Sequence, residues 1–391
     1  MQGFIEHFGD IPDPRIERTK KHKLIDIFFI TLCAVLCGCD EWEEIQAYGE
    51  KKESWLRKYI ELPNGIPSHD TINRVISVID PKVMQERFVR WVQGIATLSK
   101  GEVVSIDGKR LCGSGTDSKD AIVHMVSAWS DANNLVLGSY KVDYKSNEIT
   151  AIPKLLEMLD LSGCIITIDA MGCQKEIAEK IVDHQAHYIL AVKDNQAHLL
   201  DDIQEAFAHE EHRQISTDVQ SNLGHGRIEK RSCRVISDRD WICKSGDWKG
   251  LASLIEITAE RTDKKTGSYQ KEVRYYIADL IKDAKTFNEC IRSHWGIENR
   301  QHWMLDVAFR EDQSRKRAAN AAENFATQSV LYWKDNHVLA ANAAENFATI
   351  NRLALNLIKS DTTVKASMKR KRKMAGWDDR YLEQLLAQLK I

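Results

Sequence analysis

VVSIDGKRL, residues Val103–Leu111, is the stretch on which the reading of the fold turns. Two valines and an isoleucine form a short β-branched run of the kind that fills a buried strand. Asp107 comes where that strand is expected to leave the core. A second stretch has the same design: GCIITIDAMGCQ, residues 163–174, is again a β-branched run ending in an aspartate, Asp169. Isolated buried carboxylates are costly, so they are expected to be paired, protonated or bound to a metal. In open α/β sheets the carboxyl ends of strands form the ligand crevice, so the two aspartates are expected to share one site.

Working outward, the order of elements predicts an α/β fold with a mixed sheet and flanking helices. Strands are expected over 103–107, 121–129 and 135–142, the last two joined through the turn-rich SDANN of residues 130–134. Helices over 147–159, 174–184 and 197–207 then alternate with strands over 164–169 and 188–192. Residues 209–280 change texture. Strand-like runs at 231–236, 254–260 and 272–278 lie between Gly-, Asp- and Lys-rich turns and read as a β-rich insertion. Helical spacing returns over 284–307, which holds HWGIENRQHW at 294–303.

Upstream, residues 1–98 read as a helical domain. Residues 24–59 supply an apolar helix and a second helix carrying Trp42, Ile45, Tyr48 and Trp55. Ser68 caps a helix over 69–78, and another covers 82–98. The helix entered at PSHDTINR offers Asn73 and Arg74 either as DNA-reading side chains or as ordinary surface residues. The expected division is therefore 1–98 (helical, with possible DNA binding), 101–208 (first part of the core), 209–280 (insertion), 281–360 (second part of the core) and 361–391 (basic tail and last helix).

The bulk composition excludes several classes. With 391 residues, 43% hydrophobic and 29% charged, the chain has an ordinary globular composition. A formal net charge of −2 excludes a protein that coats nucleic acid by overall charge, so any such contact must come from local patches. Two basic blocks stand out: Arg18, Lys20, Lys21 and Lys23, and then Lys365, Lys369, Arg370, Lys371, Arg372 and Lys373. Each reads as a solvated segment or as a phosphate-contacting one. Nine cysteines without a CxxC point to buried thiols and a reducing, cytoplasmic setting. The apolar run 27–39 is 13 residues long, short of the ~20 that cross a bilayer, and reads as a buried helix. MQGFIEHFGD lacks the apolar length of a secretory leader.

One internal repeat is exact. AANAAENFAT occurs at 318–327 and again at 340–349, an offset of 22 residues. On a continuous helix that offset is six turns plus roughly 40°, so the two copies nearly share a face. Two copies do not make a solenoid. Their position behind Glu298 makes them a place where activity would be lost.

Glu298 is the expected third carboxylate, on a helical stretch beside Gly296, which permits a close backbone approach. Asp306 and Asp312 are alternative third ligands. Three oxygen donors suit Mg²⁺ or Mn²⁺, which keep waters for a substrate phosphate. Two such ions about 4 Å apart would activate a water and stabilise a leaving 3′ oxygen, the chemistry of phosphodiester cleavage and transfer. A zinc hydrolase is the rival reading, because His294, Glu298 and His302 fall at i, i+4 and i+8. The HExxH spacing of a zincin is absent.

SIDGKR, TIDAMGCQ and HWGIEN, in this order around a β-rich insertion, resemble the DDE transposases of bacterial insertion sequences, most of all the H-repeat-associated (ISAs-type) group. KSNEI (145–149), VKDNQ (192–196), HGRIEKR (225–231) and FREDQSR (309–315) are similar to that group as well, and the resemblance covers nearly the whole chain. It implies a ribonuclease-H-like fold, Mg²⁺ or Mn²⁺ as cofactor, and Asp107, Asp169 and Glu298 as the metal-binding catalytic triad. It also implies cleavage and strand transfer at terminal inverted repeats, by a homodimer on double-stranded DNA. The chain departs from related transposases in three places. A tyrosine seven and an arginine four residues before the glutamate, and a lysine seven after it, are replaced by Ile291, His294 and Leu305. DNA contacts are then expected from Lys109, Arg110, Lys193, His294, Arg300 and Arg315, with Lys369, Arg370, Lys371, Arg372 and Lys373 in the tail. The alternatives are a degenerate transposase that binds DNA without catalysis and a structure-selective nuclease on the same fold.

Overall fold

The computed structural model describes residues 2–114, 122–143, 146–209, 215–224, 226–237, 242, 245–314 and 331–389. Apolar spacing in the N-terminal quarter produces five helices: α1 (Gln2–Phe8), α2 (Leu24–Leu36), α3 (Trp42–Leu56), α4 (His69–Val78) and α5 (Pro81–Ile95). Ser68 caps α4 by accepting from the Thr71 amide at 3.4 Å, and Asp80 caps α5 by accepting from Lys82 at 2.9 Å, with Pro81 at the first helical position. Helix α2 is apolar on nearly every side and is buried accordingly. Residues 1–23 are not a free arm. Helix α1 places Phe4 and Phe8 against Phe28, with ring centroids 5.1 and 5.2 Å apart. Two cations of the first basic block are already paired, Lys20 with Glu17 at 2.8 Å and Lys23 with Glu61 at 2.7 Å.

The sheet begins with an antiparallel meander of β1 (Val103–Leu111), β2 (Val123–Ser130) and β3 (Leu135–Lys141). After α6 (Glu148–Met158) comes β4 (Ile165–Ile168), parallel to β1. After α7 (Lys175–Asp183) comes β5 (His187–Val192), parallel to β4. Helix α8 (Ala197–Ala208) leads into β6 (Ile215–Gly224), β7 (Arg227–Ile236), β8 (Ser253–Asp263) and β9 (Tyr269–Ala278). These last four strands continue the same sheet, because β9 pairs antiparallel with β5 and the order is β3-β2-β1-β4-β5-β9-β8-β7-β6. The result is a mixed α/β architecture of the ribonuclease-H-like kind, extended on one side by antiparallel strands.

Helix α9 (Ala284–Ser293) covers one face of the sheet, burying Phe287 and Ile291 against Ile165, Ile189 and Ile257. A π-helical turn (Ile297–His302) and α10 (Trp303–Phe309) follow. The other face is covered by α6, α7 and the N-terminal helices. They share one apolar cluster that runs from Phe4 to Leu389, so residues 1–98 have no separate core.

Helix α11 (Leu331–Ser360) ties the N-terminal helices to the sheet. Asn346 donates to the carbonyls of Ile76 and Ile79 at 2.8 and 2.9 Å. Asn356 accepts from the Val136 amide at 2.9 Å and donates to its carbonyl at 2.8 Å. The second copy of the repeat lies inside this helix and supplies Asn346, Phe347 and Thr349 to the core. The first copy lies outside the described residues, as does Arg315.

The basic tail corrects the expectation of a solvated or DNA-facing block at two of its six cations, Lys371 and Arg372. It forms α12 (Met368–Trp377), followed by α13 (Asp379–Ala387). Arg372, 2% exposed, donates to the Val35 carbonyl at 2.6 Å and to that of Ala308, and pairs with Asp40. Lys371 pairs with Asp361 at 3.1 Å and donates to the Ile358 carbonyl at 3.3 Å. These two cations are internal struts and are not available to a DNA backbone. Lys369, Arg370 and Lys373 are exposed. Removing one partner of a buried ion pair typically costs about 3–5 kcal/mol. Arg372→Ala is therefore expected to lower the unfolding free energy by about that amount in urea titrations, with Lys373→Ala within about 0.5 kcal/mol of wild type. Equal effects at the two positions would refute the strut assignment.

Candidate active site

The two aspartates are brought together by strand register. Strands β1 and β4 pair Val103 with Ile165, Val104 with Ile166, Ser105 with Thr167 and Ile106 with Ile168. Asp107 and Asp169 are the next residues on each strand, so they lie side by side and on the same face as Ser105 and Thr167. Thr167 Oγ1 donates to Ser105 Oγ at 3.2 Å on that face. Asp107 does not end its strand, as the sequence suggested. Strand β1 runs on to Leu111 against β2, and Asp107 sits where β4 stops pairing with it. Asp169 opens a 3₁₀ turn and accepts from the Met171 and Gly172 amides at 3.1 and 3.4 Å. VKDNQ fastens the same turn from below: Asn195 donates to the Ala170 carbonyl at 2.7 Å and Gln196 to that of Cys173 at 2.9 Å.

Helix α9 and its continuation lie along this face of β1. His294 Nδ1 meets Thr167 Oγ1 at 2.9 Å, and His302 Nδ1 is 3.6 Å from Asp107 Oδ2. Glu298 falls between them on the π-helical turn and is exposed toward a cleft of about 200 Å³, whose lining includes Asp107, Asp169, Lys193, Arg274 and Trp295. Helical segments of this wide kind are frequent at functional sites. Gly296 permits a close approach, but what approaches is a side chain and not a backbone. A Cβ there would lie 2.4 Å from Asp131 Oδ1. Asp131 in turn holds Arg300 at 3.1 Å, which fixes the glutamate-bearing turn to the β2–β3 corner.

A fourth carboxylate, unremarked in the sequence reading, lies nearby. Asn147 caps α6, accepting from the Ile149 amide at 3.1 Å, and Glu148 is buried against the opposite face of β1. Its carboxylate pairs with His124 at 2.9 Å directly over Gly108. The SIDGKR glycine is thereby explained, since a Cβ on Gly108 would lie 2.0 Å from Glu148 Oε1. The available signal was KSNEI itself, a capping Asn followed by an acid at the start of an apolar helix.

Burial pushes the Asp107 carboxyl up to about 7, with the Asp169, Glu148 and Glu298 charges adding to the rise. Asp169 is also raised, by burial and then by Glu148. Burial holds His294 down to about 4 and His302 to about 3, so both rings are neutral at pH 7. The chemistry of the donor set, oxygens at the ends of adjacent strands with a further carboxylate in the same cleft, fits a hard divalent cation. Among the described residues no three His, Cys, Asp or Glu side chains are already gathered closely enough to hold an ion. The zinc alternative fares worse, because His294 and His302 are directed at Thr167 and Asp107.

The other expected site residues fall into three groups. Lys193 is exposed at the cleft, Arg300 is exposed but paired with Asp131, and Arg110 is exposed on the opposite face of β1. Lys109, 7% exposed, is committed to Asp306 at 2.6 Å and Asp312 at 2.9 Å, so it is no free DNA contact. The same pairs take up both alternative third ligands, and neither lines the cleft that Glu298 shares with the aspartates. Ile291 and Leu305, two of the departures from the related transposases, are buried core residues.

Residues 98–333 match the family described as transposase DDE domain, and residues 5–92 match the region described as DDE_Tnp_1-associated. The chain belongs to the DDE transposase family. It is 41% identical over 392 residues to "Putative transposase YncI" of Escherichia coli O157:H7, covering 99% of this chain and 95% of that protein. It is 38% identical over 393 residues to "H repeat-associated putative transposase YhhI" of Escherichia coli K12, covering 99% of this chain and 98% of that protein. A shorter relative, "Inactive transposase YbfQ" of the same strain, is 43% identical over 77 residues, covering 20% of this chain and 92% of that protein.

Overpacking a well-packed site typically costs about 1–3 kcal/mol. Gly108→Ala is expected to lose about that much stability in thermal or urea unfolding, and to lose markedly less in a Glu148→Ala background, because neighbours couple. Strictly additive costs in the double-mutant cycle would show that Glu148 does not occupy the space over Gly108.

Proposed function

We propose that this chain is a metal-dependent DNA transposase that cleaves phosphodiester bonds at the terminal inverted repeats of an insertion sequence and joins the freed ends to target DNA. The observation that carries the reading is the register that sets Asp107 beside Asp169, with Glu298 brought to the same cleft by the Thr167–His294 bond. Asp107, Asp169 and Glu298 would hold Mg²⁺ or Mn²⁺. When bound, such cations supply Lewis-acid polarisation of phosphoryl oxygens and a more acidic water. The chain's own contributions are positional. Parallel pairing fixes the two aspartates, and the amides of Met171 and Gly172 hold Asp169 in orientation. Lys193 and Arg274 give the cleft rim its positive charge toward an incoming phosphodiester. The partners are double-stranded DNA ends, target DNA and a second copy of the chain on paired ends. The setting is the cytoplasm, at the nucleoid when bound to DNA. Among the described residues no helix is long and apolar enough to cross a membrane.

The test is a strand-cleavage assay on duplexes carrying the inverted repeats that border the gene. The wild-type protein is expected to nick and then join these ends with Mg²⁺ or Mn²⁺, and EDTA is expected to stop both steps. Outer-shell losses at metal sites typically cost 10–100-fold, so Asp107→Ala and Asp169→Ala are expected to fall by more than about 100-fold. Equal cleavage by these variants would remove the site assignment. Binding without cleavage by the wild type would establish the binding-only alternative, which the intact carboxylate set argues against. Cutting that is never followed by joining would establish a nuclease.

A further inference from the structure

A second cleft, larger than the acidic one, opens between the sheet extension and the end of α9. Its volume is about 620 Å³, and Arg274 and Trp295 line both clefts. Six cations reach it, and four of them have carboxylate partners. Lys230 is 3.7 Å from Glu260, Arg261 is 3.8 Å from Glu229, Arg274 is 2.7 Å from Glu272 and Arg300 is 3.1 Å from Asp131.

Arg231 and Arg292 are different. Arg231 donates through Nε to the Asn288 amide oxygen at 2.6 Å, and its Nη2 is buried with no hydrogen-bond partner among the described residues. Arg292 is exposed and meets the Asn222 side chain at 3.2 Å, with that amide turned so that its oxygen accepts. Both guanidiniums therefore rest on neutral amides. Burial and the neighbouring Arg292 and Arg274 charges lower the Arg231 pKa, and Tyr276 only partly offsets them. An unpartnered buried donor on a cation costs more than a neutral one, and repulsion between adjacent guanidiniums adds to it. An anion placed between them would satisfy the donor and relieve the repulsion together.

The geometry also selects the kind of anion. Guanidiniums pair with phosphate oxygens through parallel N–H groups. The cleft is too large for one inorganic ion, and it shares Arg274 and Trp295 with the cleft that Asp107 and Asp169 line. Where the two clefts meet, the Arg274 guanidinium lies over the Trp295 ring, 4.9 Å from its centroid, which makes a flat surface at the junction. A polymer with phosphates at regular intervals fits this arrangement.

We propose that this cleft carries the DNA strand adjoining the scissile phosphate, with one backbone phosphate seated between Arg231 and Arg292. The proposal rests on the transposase reading. It adds a path for the strand, from the acidic cleft across the Arg274–Trp295 junction and onto the face of β7, β8 and β9. The flanking carboxylates limit the contact to one or two phosphates.

The test measures binding of the border duplex by fluorescence anisotropy across a range of salt concentrations. Each phosphate contact contributes close to one unit to the slope of log K against log salt. Arg292→Ala is expected to lower affinity roughly 5–10-fold and to reduce the slope by about 1, with Arg292→Lys recovering most of the slope. A second measurement uses the wild-type protein and Arg292→Ala with duplexes in which single linkages near the cleavage point are neutral methylphosphonates. One linkage is expected to reproduce the Arg292→Ala loss, and to add nothing further when tested against Arg292→Ala. Unchanged slopes for Arg292→Ala, or methylphosphonate losses that add fully to it, would overturn this path while leaving a cleaving wild-type enzyme intact. A wild-type protein that neither binds nor cleaves the border duplex would overturn both the path and the transposase reading.

Discussion

The zero-offset parallel pairing of β1 with β4 is the constraint on which the rest depends. In a strand the side chains alternate, so a slip of one residue would send Asp169 to the opposite face from Asp107. The pairing is held by Val104, Ile106, Ile166 and Ile168 on one face, all buried in the main core, and by the Ser105–Thr167 contact on the other. The same face then receives α9, because Thr167 also engages His294. Register, core packing and the position of the glutamate-bearing turn are therefore one event. This explains why a third carboxylate can lie 129 residues after the second and still share its cleft.

Gathering carboxylates in one place is unfavourable, and the surrounding structure is arranged to offset it. Below Asp107 on the same face of β1, Lys109 takes up Asp306 and Asp312. Deeper still, Arg352 is fully buried, pairs with Glu311 at 3.2 Å and donates to the Ala348 carbonyl at 2.9 Å. The FREDQSR segment thus spends its acids on structural cations and leaves Asp107, Asp169 and Glu298 as the carboxylates of the cleft. Neutral His302 completes the separation, standing beside Asp107 without adding a fixed positive charge.

Much of this was legible in the sequence, for a physical reason. Strands β1 and β4 open on β-branched runs and β5 is an apolar one, and such buried runs announce themselves. The helix over His69–Val78 carries its cap and its apolar face in the local sequence. Strand β6 was not read, because ISTDVQSNLG is an edge strand whose sparse apolar face, Ile215, Val219 and Leu223, is turned largely outward, with Val219 52% and Leu223 73% exposed. Helix α1 is seven residues long, and Phe4 and Phe8 are its only apolar pair at helical spacing inside the core. Glu148 was missed because an acid at a helix start is ordinary. Only the absence of a Cβ at Gly108, seen in three dimensions, gives it a place. The α12 block is the instructive failure. Met368, Lys371, Arg372 and Ala375 follow the i, i+3, i+4, i+7 spacing of a buried face, yet two of the four are cations. Residue type predicted solvent, and burial won at Lys371 and Arg372 because carbonyls and carboxylates receive their charges.

That outcome bears on how a chain with a formal net charge of −2 meets a polyanion. Three of the cations that a count along the sequence would assign to DNA are consumed inside the molecule: Lys109 by two aspartates, Lys371 by Asp361, Arg372 by Asp40 and by main-chain carbonyls. At that net charge bulk attraction contributes little, and on the proposed reading affinity comes from local sites where cations lack carboxylate partners. Arg231 and Arg292 meet that condition beside the acidic cleft. A repulsive cluster of carboxylates and an under-neutralised pair of guanidiniums, set in adjoining clefts, make complementary demands: the first requires cations and the second requires phosphate. On the proposed transposase reading, a metal-bound phosphodiester strand would meet both demands at once.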